Sequence, residues 1–431
     1  MGMDKEKLAE ACRAFVVDDD LLRETAAAFR RDMREGLAGG DSSTLRMLPS
    51  YVGLPTGAET GEFVALDFGG TNVCAAHILL KGNGDFEIIK RVARPLTEPG
   101  VYDYVGETAQ AGELFDFVAD MVDEAIERKR GTKFLLGHTF SFPSEQTNLY
   151  NARLVTWTKE FATQGVEGEI VNNLLKEALV RIGALNVEPV AVINDTVAVL
   201  LAAAYKQSST YIGSIYATGH NTCYYEPYLG QAAQPMILNM ESGGFGKLIP
   251  SKYDLRIDEA SEKPGEQHLE KMVAGRYLGD LFGLALGDAF GADGAAYGFT
   301  SIDLSAIVED EFLDRHVVQE VVRRKTGQEV TTAEAMRLQE LAEAVIARSA
   351  RLVTATFCGV LWQIAGKGEI EKQHIAVDGS VYEKMPLIQE HVSRALYVIL
   401  GEDSAKIDIV LENVGSLLGA AIAASMAGEE S

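Results

Sequence analysis

Two short stretches carry the residue types that could hold an anion. "DFGGTN" (Asp67 to Asn72) and "ATGHN" (Ala217 to Asn221) each set glycine, threonine and asparagine between apolar runs that alternate like strands. Gly69 and Gly70 let backbone N–H groups approach a negative ligand closely, and Thr71 and Asn72 add short donors. Thr218 and Gly219 offer the same chemistry in the second stretch. A tight hairpin with a polar tip reads the same way, so one stretch alone leaves both readings open. Two such tips, on two halves of a chain, could grip one ligand between them, and a triphosphate suits that geometry. Neither GxxxxGK[ST] nor GxGxxG occurs, so any phosphates would rest on hairpin turns and not on a P-loop. Asp195 ends one apolar strand and opens a helix, and the Asn239 to Glu241 run abuts another. That place in an α/β sheet is a ligand crevice, and a helix N-terminus favours an ionised carboxylate. A plain helix cap has the same signature.

The elements that would position these residues follow from periodicity. Leu8 to Val16 and Leu21 to Leu37 read as amphipathic helices, the second introduced by Asp18-Asp19-Asp20. Strands are expected at Phe63 to Leu66, Val73 to Leu80 and Phe86 to Lys90, with a turn at Gly82 to Gly84. Leu114 to Lys129 and Ile170 to Ile182 read as helices, Phe134 to Gly137 and Val190 to Ile193 as strands, and Thr196 to Tyr205 as a small-residue helix. "YIGSIYATGHNTCYYEPYLG" (Tyr211 to Gly230) then repeats the plan of the opening hairpin, which predicts two related α/β halves. A long helix near Ala333 to Ile364, a strand at Ile375 to Val377 and a helix from Leu417 to Met426 complete the second half. Gly283 to Gly298 reads as a mobile loop or frayed helix, and Glu309 to Asp314 as a solvated charge run.

The chain has 431 residues, enough for two domains. Its 39 basic and 63 acidic residues give a net charge of −24, which disfavours nucleic acid and anionic membrane surfaces. A polyanionic ligand must therefore be held by local backbone dipoles and a cation. Cys12, Cys74, Cys223 and Cys358 are scattered without metal spacing, as free thiols of a reducing compartment would be. The seven histidines show no metal-ligand spacing either. The start lacks the apolar core of a signal peptide, and no apolar run approaches a membrane span of roughly 20 residues, so a cytoplasmic protein is expected.

Seven motifs in order give a resemblance. Met47 to Asn72, Leu136 to Phe161 ("LGHTFSFPSEQTNLYNARLVTWTKEF"), Val192 to Tyr205 ("VINDTVAVLLAAAY") and Ala217 to Glu226 resemble the eukaryotic-type hexokinases. So do Ile237 to Gly246 ("ILNMESGGFG"), Pro264 to Leu281 ("PGEQHLEKMVAGRYLGDL") and Val377 to Tyr382 ("VDGSVY"), and together they span nearly the whole chain. The resemblance implies an α/β, two-lobed, actin-like (ribonuclease H-like) sugar kinase fold with a central cleft. The small lobe would be 62–193 plus 415–431, and the large lobe 1–61 plus 194–414. It implies ATP- and Mg²⁺-dependent phosphorylation of a hexose, glucose first, at the 6-hydroxyl. A repressor-related bacterial sugar kinase would carry a cysteine-rich zinc motif that is missing here.

The implied roles fall residue by residue. Asp195 would be the general base, and Lys159 would face the transferring phosphate. Ser141, Thr158, Lys159, Asn194, Asp195, Asn221, Glu241, Gln267 and Glu270 would bind the sugar, whose hydroxyls both donate and accept. Asp67 would hold Mg²⁺ through water. Gly69, Gly70, Thr71, Asn72, Thr218, Gly219, Gly379, Ser380 and Ser416 would contact the nucleotide. Sugar binding would close the lobes about Gly53 to Gly61 and the approach to Gly415, in a monomer or homodimer with one site per chain.

Four positions depart from the family pattern. Cys74 replaces an arginine that touches phosphate, a loss of about 10- to 100-fold in affinity or rate unless another cation substitutes. Glu160 replaces a glycine beside Lys159. Ser242, followed by Gly243 and Gly244, replaces a tryptophan and would loosen the wall behind Glu241. Leu417 and Leu418 replace the glycine and lysine of a nucleotide-binding "GSGKG". Because most of these touch the donor side, the alternatives are a sugar-binding regulator with little catalysis, or a kinase using another donor or a modified hexose.

Overall fold

The computed structural model describes residues 3–158, 161–229 and 234–429. Helices α1 (Lys5–Ala14) and α2 (Asp19–Leu37) open the chain, capped by the carboxylates of Asp4 and Asp18. A short strand β1 (Leu48–Pro49) precedes the meander β2 (Thr60–Phe68), β3 (Asn72–Gly82) and β4 (Asp85–Pro95). Helix α3 (Ala111–Ala125), strand β5 (Phe134–Phe140), helix α4 (Val171–Arg181) and strand β6 (Val187–Ile193) complete the first unit. Helix α5 (Asp195–Lys206) leads into a second meander, β7 (Thr210–Tyr216), β8 (His220–Glu226) and β9 (Met236–Asn239). Helices α6 (His268–Val273), α7 (Gly275–Phe290) and α8 (Thr332–Ala365) follow, then β10 (Gln373–Asp378), β11 (Ile407–Leu411) and α9 (Gly415–Glu429).

The two halves share one topology. The first sheet has the order β6-β5-β2-β3-β4, and the second β11-β10-β7-β8-β9 with β1 added at its edge. In each, three antiparallel strands are followed by two parallel ones. The echo foreseen from the hairpin tips is therefore a repeat of the whole five-stranded plan, although Gly230, its predicted end, lies outside the described residues. Strands run longer than their apolar segments, because ladder pairing carries polar residues such as Thr60 and Arg94 into the sheet. Strand β3 is buried on both faces, whereas the edge strand β4 is largely exposed and carries Lys90, Arg91 and Arg94.

Helix α5 packs on the second sheet, α9 on the first, and the two helices pack on each other. Small residues make that close approach possible. A Cβ at Gly419 would lie 2.2 Å from the Ala198 carbonyl oxygen, and one at Gly137 would lie 1.8 Å from that of Ala420. Leu417 and Leu418 are buried in this layer.

Three expectations need correction. Gly283 to Gly298 is no mobile loop. Helix α7 covers its first part, and Gly283 and Gly287 bring it against the returning chain at Gly294, where a Cβ would meet the Gly283 carbonyl at 1.9 Å. Glycine serves close packing there. The run Glu309 to Asp314 is not solvated throughout: Asp310 is buried and accepts the N–H groups of Phe312 and Val318. Helix α8 does contain an 18-residue stretch apolar and long enough to cross a membrane, contrary to the reading from sequence. It is 83% buried inside the protein, as the central helix of the large hydrophobic core. All four cysteines are free.

Candidate active site

Strand register places the key carboxylates at one sheet edge. Asp67 pairs with Thr139 across β2 and β5, and Thr139 pairs with Ile193 across β5 and β6. At roughly 4.8 Å per strand step, Asp67 and Ile193 are about 10 Å apart along that edge, and Asn194 and Asp195 follow directly. Ser141 is half-buried just past the end of β5 on the same side. Asn194 caps α5, accepting the N–H of Thr196 at 3.0 Å and its hydroxyl at 2.7 Å. The cap is therefore Asn194, which leaves Asp195 in the first turn, where Oδ1 accepts the Thr196 N–H at 2.8 Å.

From the second sheet come the groups expected to bind the sugar. The Asn239 amide donates to Glu241 Oε1 at 2.7 Å, and the Asn221 amide donates to Asn239 Oδ1 at 2.9 Å. Asn221 Oδ1 accepts the N–H groups of Thr222 and Ser242 at 2.7 and 3.0 Å. Burial pushes the Glu241 carboxyl above the usual range. The Asn239 hydrogen bond opposes this, and the charges of Asp195 and Glu270 add to it. Glu241 and Gln267 both have left-handed backbone, with φ of 52° and 54°. Such conformations hold only where surrounding structure enforces them. Glu270 Oε2 accepts the His220 N–H at 2.9 Å, just past the second tip. Its neighbour Lys271 is buried and paired with Asp258 at 2.6 Å.

The wall behind Glu241 is tight, not loosened. Ser242 to Gly244 form a short 3-10 turn with Ser242 fully buried. A Cβ at Gly243 would fall 2.6 Å from Gln267 Oε1 and 2.8 Å from the His220 carbonyl. The Gln267 side chain and the His220 backbone take up the space expected for an indole.

Both hairpin tips are braced by backbone hydrogen bonds from another segment. In the first, Gly69 N–H donates to the Asn72 carbonyl at 3.2 Å and Leu96 N–H to the Thr71 carbonyl at 3.0 Å, while the Thr71 and Asn72 side chains are exposed and bonded to each other at 3.2 Å. In the second, the Ala217 and Thr218 carbonyls accept the N–H groups of Gly275 and Arg276 at the start of α7. Gly379 (φ 138°) lies against the Tyr216 carbonyl, where a Cβ would come within 2.3 Å, and Ser380 is exposed beside it. Asp378, directly before them, is pushed up to about 6, first by burial and then by the charges of Glu412, Asp195 and Glu383. The charge of Asp195 thus reaches Asp378 and Glu241, both from the second sheet. Ser416 opens α9 and its carbonyl accepts the Thr139 hydroxyl at 2.8 Å.

Thr158 is half-buried, and its loop is anchored by Trp157, which donates to the Thr163 carbonyl at 2.9 Å and stacks on Phe161. Lys159 and Glu160 lie outside the described residues. Among the described residues no group of three or more His, Cys, Asp or Glu side chains could hold a metal ion. Asp67, half-buried near the end of β2 beside the first tip, is a single carboxylate of the kind that holds Mg²⁺ together with water and phosphate oxygens. Asn239 belongs to the run singled out from sequence, whereas Asp378 and Arg91 are near the site without having been assigned a role there. Asp378 had a signal, since it lies in the VDGSVY motif directly before Gly379; Arg91 had none.

Two family models described as Hexokinase match residues 7–205 and 211–426. Hexokinase-1 of Schizosaccharomyces pombe is 33% identical over 452 residues, covering 98% of this chain and 91% of its own. Among solved structures, one described as a crystal structure of hexokinase aligns with a TM-score of 0.87 at 30% identity, covering 98% of this chain and 99% of the other. A hexokinase from Schistosoma mansoni complexed with glucose aligns with a TM-score of 0.79 at 28% identity, covering 98% of both chains. With the matched models spanning both halves and the identity extending over nearly its whole length, this chain belongs to the hexokinase family.

Proposed function

We propose that this protein transfers the γ-phosphoryl group of ATP to the 6-hydroxyl of a hexose, glucose being the first choice. The observation that carries the reading is the meeting at Asp195 of groups from both sheets: Asp67 lies along the same edge, and Glu241 and Asp378 approach from the opposite half. Asn221, Asn239, Glu241 and Glu270 form a fixed set of donors and acceptors for sugar hydroxyls, completed by Ser141, Thr158, Asn194 and Gln267. Asp195 accepts the hydroxyl proton as the oxygen attacks. Phosphoryl transfer is largely positioning and charge stabilisation, so late proton transfer to a carboxylate suffices. Thr71, Asn72, Thr218 and Gly219 donate to the phosphates, with Lys159 at the transferring group. Mg²⁺ bound near Asp67 would neutralise charge on the phosphate oxygens.

Residues 62–193 plus 415–431 form the small lobe on this reading, and 1–61 plus 194–414 the large one, closing on sugar to exclude water. We place the protein in the cytoplasm as a monomer or homodimer, its charge of −24 keeping it off nucleic acid and anionic membranes. The test is a coupled assay of hexoses against several phosphoryl donors, with glucose binding measured in parallel. Turnover with glucose and ATP is expected. Glucose binding with no transfer from any donor would replace this reading by that of a sugar-binding regulator.

A further inference from the structure

A donor polyphosphate entering this cleft meets Asp67, Asp195 and Asp378 in a chain of net charge −24. A local cation is needed at the first hairpin tip. Edge strand β4 supplies two arginines, three residues apart and hence on opposite faces. Arg94 turns to α3, where it pairs with Asp120 and Glu124. Arg91 turns the other way. Asp67 is the sheet partner of Cys74, and Cys74 is the partner of Ala93, so all three share one face, and Arg91, two residues before Ala93, lies on it too. That face is the one packed on α9. Arg91 Nε donates to Cys74 Sγ at 2.9 Å, and among the described residues Arg91 makes no ion pair. The residue is exposed and held beside Cys74, the residue opposite Asp67; the hydrogen bond to Cys74 first, and the charge of Asp67 after it, favour the protonated guanidinium.

We propose that Arg91 is a donor-binding residue, its guanidinium anchored through Nε on Cys74 and offering its Nη groups to the phosphate chain lying on Gly69 to Asn72. The inference rests on the phosphotransferase reading above and identifies a cation for its donor side. A guanidinium suits this place because its planar fork bonds phosphate oxygens in pairs while one edge stays anchored. Cys74 is then the fixed end of that fork.

The test measures binding of Mg·ATP and of inorganic tripolyphosphate by calorimetry with glucose present, together with KM for ATP and for glucose, in wild type and in Arg91→Ala, Arg91→Gln and Arg91→Lys. The alanine and glutamine variants should bind both polyphosphates about 10- to 100-fold more weakly, with glucose KM and thermal midpoint unchanged. The lysine variant should recover part of the loss. Donor affinity within twofold of wild type in the alanine variant would overturn the proposal, as would an equal loss of glucose affinity, the mark of a structural role. A wild type that binds neither polyphosphate and transfers no phosphoryl group would instead remove the functional reading itself.

Discussion

On the second sheet, Asn221, Asn239 and Glu241 hold one another through hydrogen bonds of 2.7 to 3.4 Å, against a turn whose backbone leaves no room for a side chain at Gly243. On the first sheet, the tip Gly69 to Asn72 leaves Thr71 and Asn72 exposed, with a 3.2 Å contact between them. On the proposed reading the sugar side is braced through its side chains before any ligand arrives, whereas the phosphate tip is held through its backbone, the Thr71 carbonyl accepting the Leu96 N–H, with its side chains left exposed. Sugar hydroxyls are neutral and directional, so they are told apart only by partners already fixed in place. Phosphate oxygens are charged and tolerant of angle, so backbone dipoles and cations can gather around them as the lobes close.

The largest effect should come where the two regions meet. Asp195→Asn removes the proton acceptor and should lower kcat by about 10²- to 10⁴-fold while glucose binding, followed by calorimetry, persists. A loss of binding equal to the loss of rate would mean that Asp195 belongs to the sugar side alone. Next, Asn239→Ala takes away the amide that orients Glu241 and should raise KM for hexose about 10- to 100-fold, with KM for ATP steady. A fall confined to ATP would reverse the assignment of sides. Thr71→Ala, on the phosphate tip, should raise KM for ATP only several-fold, since one neutral hydrogen bond contributes about 0.5–1.5 kcal/mol. Its thermal midpoint should not move.

The smallest effect concerns pH. Asp378 titrates at about 6 in the folded protein against an ordinary 3.8, so folding favours its neutral form. Its stabilising contribution is complete below about pH 4 and disappears as pH rises through about 6. Thermal midpoints of wild type and Asp378→Asn without nucleotide should therefore diverge between pH 4 and 7, the variant gaining relative to wild type. Parallel curves would mean that Asp378 is not held among Glu412, Asp195 and Glu383.

Much of the site was legible from local pattern. Gly-Thr-Asn tips between alternating runs announced both hairpins, and the junction of strand and helix at Asp195 was legible too, because turn chemistry and strand ends leave marks within a few residues. What failed depended on neighbours distant in sequence. Gly283 to Gly298 looked loose because glycine favours loops, yet here it lets two backbones touch. Ser242 to Gly244 looked like a slackened wall because the side chain is small, yet Gln267 and His220 fill the space. The apolar stretch in α8 escaped notice because charges interrupt its flanks, and only its burial identifies it as core.

The order of motifs, the duplicated strand–tip–strand plan and the absence of a P-loop were properties of the chain read alone, since each is written in consecutive residues. The placing of Arg91 beside Cys74, the burial of Leu417 and Leu418 between α5 and α9, and the raised carboxyls of Glu241 and Asp378 were decided by the folded molecule. Register and packing between sheets set which charges become neighbours, and no local pattern encodes the dielectric in which they meet.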